Sequence, residues 1–285
     1  MKWRTLLTVT GTAALAGGAF LYGRRASAAE PSPGPAPGQP APGQPAPGPA
    51  PKIELPPLPG PADVKGDLSR NWGETPLDLR ALFLLMEETS RIAGSARIFA
   101  GIAYRESRFV TTAHNGDAVG EQGERDASLR AYTNNRDNNP PLRYGEQAAA
   151  FGSGGLFGLL APYFLWTGVP EVKASAPLLG APPELMFQPR ASAFAAAVYM
   201  QRILKNYRVD DIPDIKAGWA SPTLLTTGRG GESYQDVRAR FLADMKAVGI
   251  DLADATIPVR LDASSWPGVP AVFAGLVGAL PKELA

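Results

Sequence analysis

The chain has 285 residues, with 45% hydrophobic and 19% charged side chains, one histidine and no cysteine. This length is enough for one sizeable domain with appendages. The single histidine, His114, cannot supply the two or three imidazoles of most zinc sites, and the lack of cysteine excludes thiolate metal sites, disulfides and cysteine nucleophiles. We therefore expect no metal and no cofactor, and any catalysis must use carboxylates, hydroxyls, lysines or backbone groups.

The charge of the chain argues against a nucleic-acid partner. Of the 28 lysines and arginines, four lie in residues 1–29, which leaves 24 against 27 acidic residues, a net charge of −3. A nucleic-acid-binding protein normally concentrates positive charge on its working surface, and this sequence shows no such concentration.

Residues 1–29 indicate a targeting segment and not a part of the fold. A basic start precedes an uncharged run over residues 5–22, and Ala26-Ser27-Ala28 suits cleavage by signal peptidase. The alternative is a retained membrane anchor, because Arg24 and Arg25 directly after the apolar run are unusual in a cleavage region. Both interpretations place the protein in the cell envelope, periplasmic or extracellular, with membrane contact only if the segment is retained.

Residues 30–62 predict a disordered, proline-rich linker. Residues 31–51 repeat Pro-Ala-Pro-Gly-Gln with little variation, and 14 of the 29 prolines lie in residues 31–61. Such a sequence favours a polyproline II tether, because it has few apolar side chains to bury and lacks many amide donors.

Residues 63–250 have the composition of a helical globular domain. Four segments carry apolar residues at helical spacing: residues 77–94, 96–109, 189–207 and 233–249. Ser95 is a predicted N-cap, Pro189 is a predicted first helical residue, and Ser233 with Asp236 forms an acidic variant of the capping box.

Two other segments complete the predicted architecture. Residues 111–150 are polar and rich in Asn, Gly, Asp and Arg, which predicts a long loop with at most short helices. Residues 251–285 predict a C-terminal extension, broken by proline, that could cover part of the core. No convincing run of alternating polar and apolar residues predicts strands, so the expected fold class is mainly α.

The most informative residue is a carboxylate on an apolar helix face. Glu106 follows Ile102 by four residues and Ala103 by three, so the helical period places it on the stripe that faces the core. At an apolar edge, and in the last turn of a helix where the dipole is negative, the ionised form is disfavoured. A carboxyl group that stays protonated at neutral pH suits a general acid. The alternative is a glutamate that turns to solvent or pairs with an arginine.

The residues around Glu106 resemble a known family. Glu106-Ser107-Arg108-Phe109 resembles the Glu-Ser-x-Phe signature of the soluble lytic transglycosylase and goose-type lysozyme superfamily, in which the glutamate ends a helix. Gly155-Leu156-Phe157-Gly158-Leu159-Leu160-Ala161 resembles a degenerate form of the family's Gly-Ala-x-Gly-Leu-Met-Gln stretch, and residues 215–222 occupy the place of its Tyr-Asn-Ala-Gly helix. The resemblance covers about residues 70–250 and implies a lysozyme-like fold.

The chain departs from the family pattern at three points. The family's glutamine is replaced by Ala161, its tyrosine and asparagine are replaced around Trp219 and Ser221, and residues 112–150 are longer than the usual spacing between the first two motifs. These differences concern the saccharide contacts and the reaction outcome, while the glutamate itself is retained.

The resemblance implies a peptidoglycan partner, cleaved at the β-1,4 bond between N-acetylmuramic acid and N-acetylglucosamine with Glu106 as catalytic acid and base. A lytic transglycosylase, the expected activity, leaves a 1,6-anhydro end, whereas a muramidase uses water. An inverting hydrolase needs a second carboxylate roughly 6.5 to 9.5 Å away. Four carboxylates of the polar segment are candidates that the sequence does not separate: Asp117, Glu121, Glu124 and Asp126.

Five residues are predicted substrate contacts: Ser107, Gly158, Leu159, Tyr163 and Trp219. Ser107 would orient the carboxylate or a sugar, and Gly158 and Leu159 would bring backbone amides close to the sugar. Tyr163 and Trp219 would stack on sugar faces. Each has a structural alternative, as a helix cap, a tight turn or a member of the apolar core.

Two other interpretations stay open. A wall-associated, saccharide-binding domain could have kept the fold and lost turnover. A virion-associated wall-degrading enzyme would also suit a retained anchor followed by a proline tether.

Overall fold

The computed structural model describes residues 53–69, 71–114, 121–252 and 265–280. The predicted export or anchor segment and the repeats of the tether lie outside these ranges. Within them, none of the helices combines the length and the apolar character needed to cross a membrane.

The described part of the chain is mainly α-helical, as the sequence predicts. Its helices are α1 (Leu77–Ser90), α2 (Ala96–Ser107), α3 (Glu121–Asn135), α4 (Gly145–Ala149), α5 (Ala161–Leu165), α6 (Val169–Val172), α7 (Pro189–Asn206), α8 (Ile212–Ala220), α9 (Glu232–Val248) and α10 (Val269–Leu276). Short 3-10 helices lie at Pro61–Asp63, Arg136–Asn138, Lys173–Ser175, Pro183–Phe187 and Pro222–Leu225. An antiparallel hairpin, which the sequence does not predict, is formed by β1 (Ser153–Gly154) and β2 (Leu159–Leu160).

Helix α7 forms the centre of the fold. It starts at Pro189, as the sequence predicts, and most of its residues are buried, including a run of alanines at positions 195–197. Helices α1, α8 and α10 pack around it. A helix that is apolar on nearly every side is stable only in the interior, and the small alanine side chains let its neighbours approach closely.

The start of α2 is capped by a residue of α1. Ser95 occupies the predicted N-cap position, but its side chain makes no capping hydrogen bond. The Glu87 carboxylate instead accepts hydrogen bonds from the Gly94 amide at 3.0 Å and the Ala96 amide at 2.8 Å. An acidic group at a helix N-terminus satisfies free amides and complements the dipole, so this contact joins α1 to α2.

The predicted start of α9 at Ser233 is wrong. The helix begins at Glu232, and Gly231 is its N-cap, with its carbonyl accepting a hydrogen bond from the Gln235 amide at 3.1 Å. Glycine is well tolerated at an N-cap, so the hydrogen-bond ladder starts before the capping-box pattern.

The prediction of a long loop over residues 111–150 is wrong for much of that segment, because α3 and α4 lie within it. The ring of Tyr132 in α3 stacks on Trp166, with centroids 5.6 Å apart and planes 13° apart. Among the residues of α3 whose burial the structure describes, Ser128 and Ala131 are buried. Because the buried residues of this helix are small or polar, the apolar periodicity that reveals a helix in a sequence is weak.

Part of the predicted linker belongs to the fold. Ile53 is only 7% exposed, and the Arg190 side chain donates hydrogen bonds to the Pro57 carbonyl at 2.7 Å and to the Leu276 carbonyl at 3.1 Å. The linker boundary at residue 62 is therefore too late. The high proline content predicts a linker, but the apolar side chains of this segment, such as Ile53, pack against the core of the domain.

The described part of the C-terminal extension packs on the domain. Val272 and Leu276 of α10 are fully buried, and the rings of Phe273 and Phe194 meet edge to face with centroids 5.0 Å apart. Helix α10 therefore covers the core beside α1 and α7.

Candidate functional site

Glu106 lies in the last turn of α2, where its side chain is 23% exposed. The helix ends immediately after it, because Arg108 and Phe109 adopt left-handed backbone conformations with φ of 53° and 65°. Two consecutive non-glycine residues in this region are unusual, and the second is aromatic. The turn leads the chain away from the helix axis and leaves the carboxylate at the helix end.

The neighbouring residue Ser107 is buried and ties the end of α2 to the hairpin loop. Its hydroxyl lies 2.9 Å from the Ala103 carbonyl and 2.9 Å from the Leu156 carbonyl. The predicted substrate contact Ser107 therefore faces the interior, where it holds the glutamate-bearing turn against residues 155–158.

The hairpin loop lies directly against Glu106. β1 pairs Ser153 with Leu160 of β2, and the Gly158 amide donates to the Gly155 carbonyl at 3.2 Å to close the turn. Gly158 has a φ of 60°, and a β-carbon there would lie 3.0 Å from Glu106 Oε2 and 3.2 Å from Glu106 Cβ. Glycine is favoured at this position both by the backbone conformation and by the close approach of Glu106.

A buried lysine pairs with Glu106. Lys216 Nζ of α8 lies 2.7 Å from Glu106 Oε1, and the Lys216 side chain is 7% exposed. The sequence predicts apolar neighbours for Glu106 or, as the alternative, solvent or an arginine partner, and neither includes this lysine ammonium. A signal was present in the sequence, since Lys216 stands between Ile215 and Ala217 in an apolar helical segment, where a lysine needs a partner.

Trp219 belongs to the core. It is 7% exposed, and its ring packs against Phe157 at 6.0 Å and Tyr199 at 4.9 Å between centroids. The predicted stacking face of Trp219 is therefore turned toward protein rings. The Tyr199 hydroxyl donates to the Gly218 carbonyl at 3.3 Å, and burial raises the pKa of Tyr199, with the negative charge of Glu106 adding to the shift.

The other predicted contacts lie on or after the hairpin. Gly158 and Leu159 are partly exposed, and Tyr163 of α5 is partly buried. Burial raises the pKa of Tyr163, and a side-chain hydrogen bond with Asn135 acts in the opposite direction. The hairpin thus brings Gly158 to Glu106, whereas Ser107 and Trp219 lie behind the site.

Among the four candidates for a second carboxylate, Glu124 lies against the first strand of the hairpin. Asp117 and the side chain of Glu121 lie outside the described residues, and Asp126 is partly exposed on α3. Glu124 Oε2 accepts a hydrogen bond from the Ser153 hydroxyl at 3.0 Å. Burial raises the pKa of Glu124, and the negative charge of Glu106 also raises it.

His114 and Glu124 both lie next to Gly152, where a β-carbon would be 3.8 Å from His114 Nε2 and 3.9 Å from Glu124 Cβ. Its Nε2 is 2.7 Å from the Phe151 carbonyl, and its backbone forms an antiparallel bridge with Gly154. Across the described residues, no three histidine, aspartate or glutamate side chains are grouped so as to hold a metal ion.

The close approach of Gly158 to Glu106 leads to a stability prediction. We expect Gly158→Ala to lower the free energy of unfolding by roughly 2–3 kcal/mol, since the left-handed backbone costs about 1–2 kcal/mol and the added methyl group must displace Glu106. Gly230→Ala is the matched control, because Gly230 also has a positive φ, 83°, but has open space around a β-carbon. Urea unfolding of both variants should show the larger loss at position 158, and equal losses would contradict the contact with Glu106.

Comparison with protein-family models finds no match for this chain, and comparisons with curated proteins and with solved structures find no significant match. The family resemblance therefore depends only on the sequence motifs around Glu106, Gly158 and Lys216.

Proposed function

We propose that this protein cleaves the glycan strands of peptidoglycan at the β-1,4 bond between N-acetylmuramic acid and N-acetylglucosamine, with Glu106 as general acid. The observation that carries the proposal is the position of the Glu106 carboxylate. It is partly exposed at the end of an apolar helix and lies against a glycine of a hairpin loop. A partly buried carboxyl group beside a glycine can approach a saccharide oxygen closely, and it is therefore suited to protonate that oxygen.

In the first step, protonated Glu106 transfers its proton to the bridging oxygen and the bond from that oxygen to C1 of the sugar breaks. The substrate's own acetamido group stabilises the positive charge that develops at C1. Lys216 Nζ, 2.7 Å from Glu106 Oε1, stabilises the carboxylate that remains after the transfer.

The family resemblance favours an intramolecular second step. In a lytic transglycosylase the 6-hydroxyl of the same sugar attacks C1, its proton passes to the Glu106 carboxylate, and a 1,6-anhydro ring closes. In a muramidase a water molecule attacks C1 instead. The acid step is common to both reactions.

The ion pair favours a second candidate function, a peptidoglycan-binding domain without turnover. A lysine ammonium in contact with Glu106 stabilises the ionised carboxylate, whereas the first step requires the protonated form. Such a domain would bind glycan strands through the same surface and would release no fragments.

Muralytic activity on purified sacculi separates the two functions. We expect the full-length protein to release soluble muropeptides and Glu106→Gln to lower the rate roughly a hundredfold or more, as removal of a general acid does. Glu88→Gln is the matched control, since Glu88 pairs with Lys65 on the exposed surface of α1. Its activity should equal that of the unaltered protein.

Because Glu106→Gln leaves the Lys216 ammonium buried without a counter-charge, the double variant Glu106→Gln/Lys216→Met is assayed beside it. Inactive, folded single and double variants support the proposal. Wild-type rates in both variants would overturn the role of Glu106, and pelleting with sacculi without any release would favour the binding domain.

The proposed location of the protein, at the cell wall, follows from the predicted N-terminal segment. A cleaved signal or a retained anchor in residues 1–29, followed by the proline-rich tether, would deliver the domain to the cell wall, in a bacterial envelope or in a virion.

A further inference from the structure

We propose that Arg108 binds a carboxylate of the peptide stem on N-acetylmuramic acid, so that the protein cleaves strands with intact stems faster than strands without them. This inference rests on the proposed function, because it names the part of the substrate that is recognised beside the scissile bond. Arg108 occupies the variable position of the Glu-Ser-x-Phe signature, so the family resemblance assigns it no role.

The first support is a difference between two arginines at the end of α2. Arg105 Nη1 lies 2.7 Å from Asp244 Oδ2 and donates a hydrogen bond to that carboxylate. Arg108 Nη1 lies 3.9 Å from the other oxygen, Oδ1, which is too far for a hydrogen bond. One carboxylate thus faces two guanidinium groups, and one positive charge of this group is not neutralised.

The second support is the way in which the Arg108 side chain is held. Its guanidinium carbon lies 4.2 Å from the centre of the Tyr104 ring, and that ring packs against Phe109 with centroids 5.5 Å apart. Stacking uses a face of the planar guanidinium, whereas the N–H groups point outward in its plane. Because the side chain is 53% exposed, a carboxylate can reach these donors and accept two parallel hydrogen bonds.

The third support is the position of Arg108 next to the proposed acid. Arg108 follows Glu106 by two residues, and two residues separate their α-carbons by at most about 7 Å. The proposed cleavage is at C1 of N-acetylmuramic acid, and the lactyl group of the same sugar carries the stem. An extended peptide gains about 3.5 Å with each residue, so a short stem on a sugar at Glu106 is long enough to reach Arg108.

The charges around the scissile bond also favour the stem as the partner. Glu106 is paired with Lys216 at 2.7 Å, so its charge does not cancel that of Arg108. In an intact strand the lactyl carboxyl group is joined to the stem by an amide bond, and the sugars are neutral. The negative charge near the cut therefore lies on the free carboxylates of the stem, which complement the charge of Arg108.

The test compares two preparations of glycan strands from the same sacculi. In one the stems are intact, and in the other an amidase has cut the bond between lactyl group and stem. New chain ends made by the full-length protein are counted by chromatography and mass spectrometry at subsaturating strand concentrations. We expect the strands with stems to be cut roughly tenfold faster, the effect of one charge-assisted contact. Because Arg108 is exposed, this preference should fall as the salt concentration rises.

Variants of Arg108 assign the preference to this side chain. Arg108→Gln should reduce the ratio of the two rates to about one, and Arg108→Lys should retain part of it, since lysine keeps the charge but lacks the planar pair of donors. Arg91→Gln is the matched control and should keep the preference. Arg91 is also an exposed arginine with a left-handed backbone, φ 56°, but it precedes the start of α2, at the other end of the helix from Glu106.

Equal cleavage of both preparations by the unaltered protein, or a preference that folded Arg108→Gln keeps, would overturn this inference and leave the proposed function intact. A loss in Arg108→Gln that is as large on stripped strands would also overturn it, because those sugars carry a free lactyl carboxylate in place of the stem. Absence of cleavage in either preparation would overturn both proposals.

Discussion

Replacing Asp214 by alanine is expected to lower the free energy of unfolding by about 3–5 kcal/mol, because it leaves buried donors without their acceptor. Asp214, in the first turn of α8, has no exposed surface. Its carboxylate accepts hydrogen bonds from the Tyr234 hydroxyl at 2.5 Å, from the Asp210 amide at 2.9 Å and from Arg238. Arg229 adds an ion pair at 3.2 Å.

This loss should be far larger than that at an exposed ion pair of the same chemistry. Asp236→Ala is the control: Asp236 pairs with Arg240 at 2.8 Å, both side chains are about half exposed, and such pairs contribute about 0.5 kcal/mol or less. Urea denaturation followed by circular dichroism measures both values. Similar losses for the two variants would show that the Asp214 network does not hold α8 to α9.

Removing the charge of Glu106 and removing the charge of Lys216 are expected to lower the free energy of unfolding by different amounts. Glu106→Gln leaves the 7%-exposed Lys216 side chain charged and unpaired, which costs about 3 kcal/mol or more. Lys216→Met leaves Glu106, which is 23% exposed and can recover part of its hydration, so we expect a smaller loss. The double variant removes both charges and should return to within about 1.5 kcal/mol of the unaltered protein.

Thermal and urea unfolding of the three variants form a double-mutant cycle. Additive losses, with the double variant the least stable, would show that the two charges do not interact. The same variants are used in the activity assay. The double variant removes the candidate acid and leaves no unpaired ammonium buried in the protein.

Four of the long helices could be predicted because each has a periodic apolar pattern within its own sequence. The apolar stripes of α1, α2, α7 and α9 repeat with the helical period, and their bounds differ from the prediction by only a few residues. The sequence does not predict helix α3, because its buried residues Ser128 and Ala131 form no continuous apolar stripe. Packing against α5 stabilises this helix instead.

The candidate site could be predicted only in part, for the same reason. Its neighbours one turn away on the same helix indicate that Glu106 is a candidate site residue. A short local motif indicates the same for Gly158. Lys216 and Glu124 were not singled out, because their contacts join segments far apart in the chain. The sequence predicts that Trp219 contacts the substrate, whereas the packing of Phe157 and Tyr199 places it in the core.

Local patterns in the sequence predict the mainly helical architecture, the glutamate at the end of an apolar helix and the glycine that lets a loop approach it. These features depend on residues within a few positions of one another, where periodicity and backbone conformation act directly. The charged group that pairs with Glu106, in contrast, comes from a segment that is distant in the chain. The ion pair between α2 and α8 and the contact of Glu124 with β1 depend on how separate elements pack, and no local pattern encodes that packing.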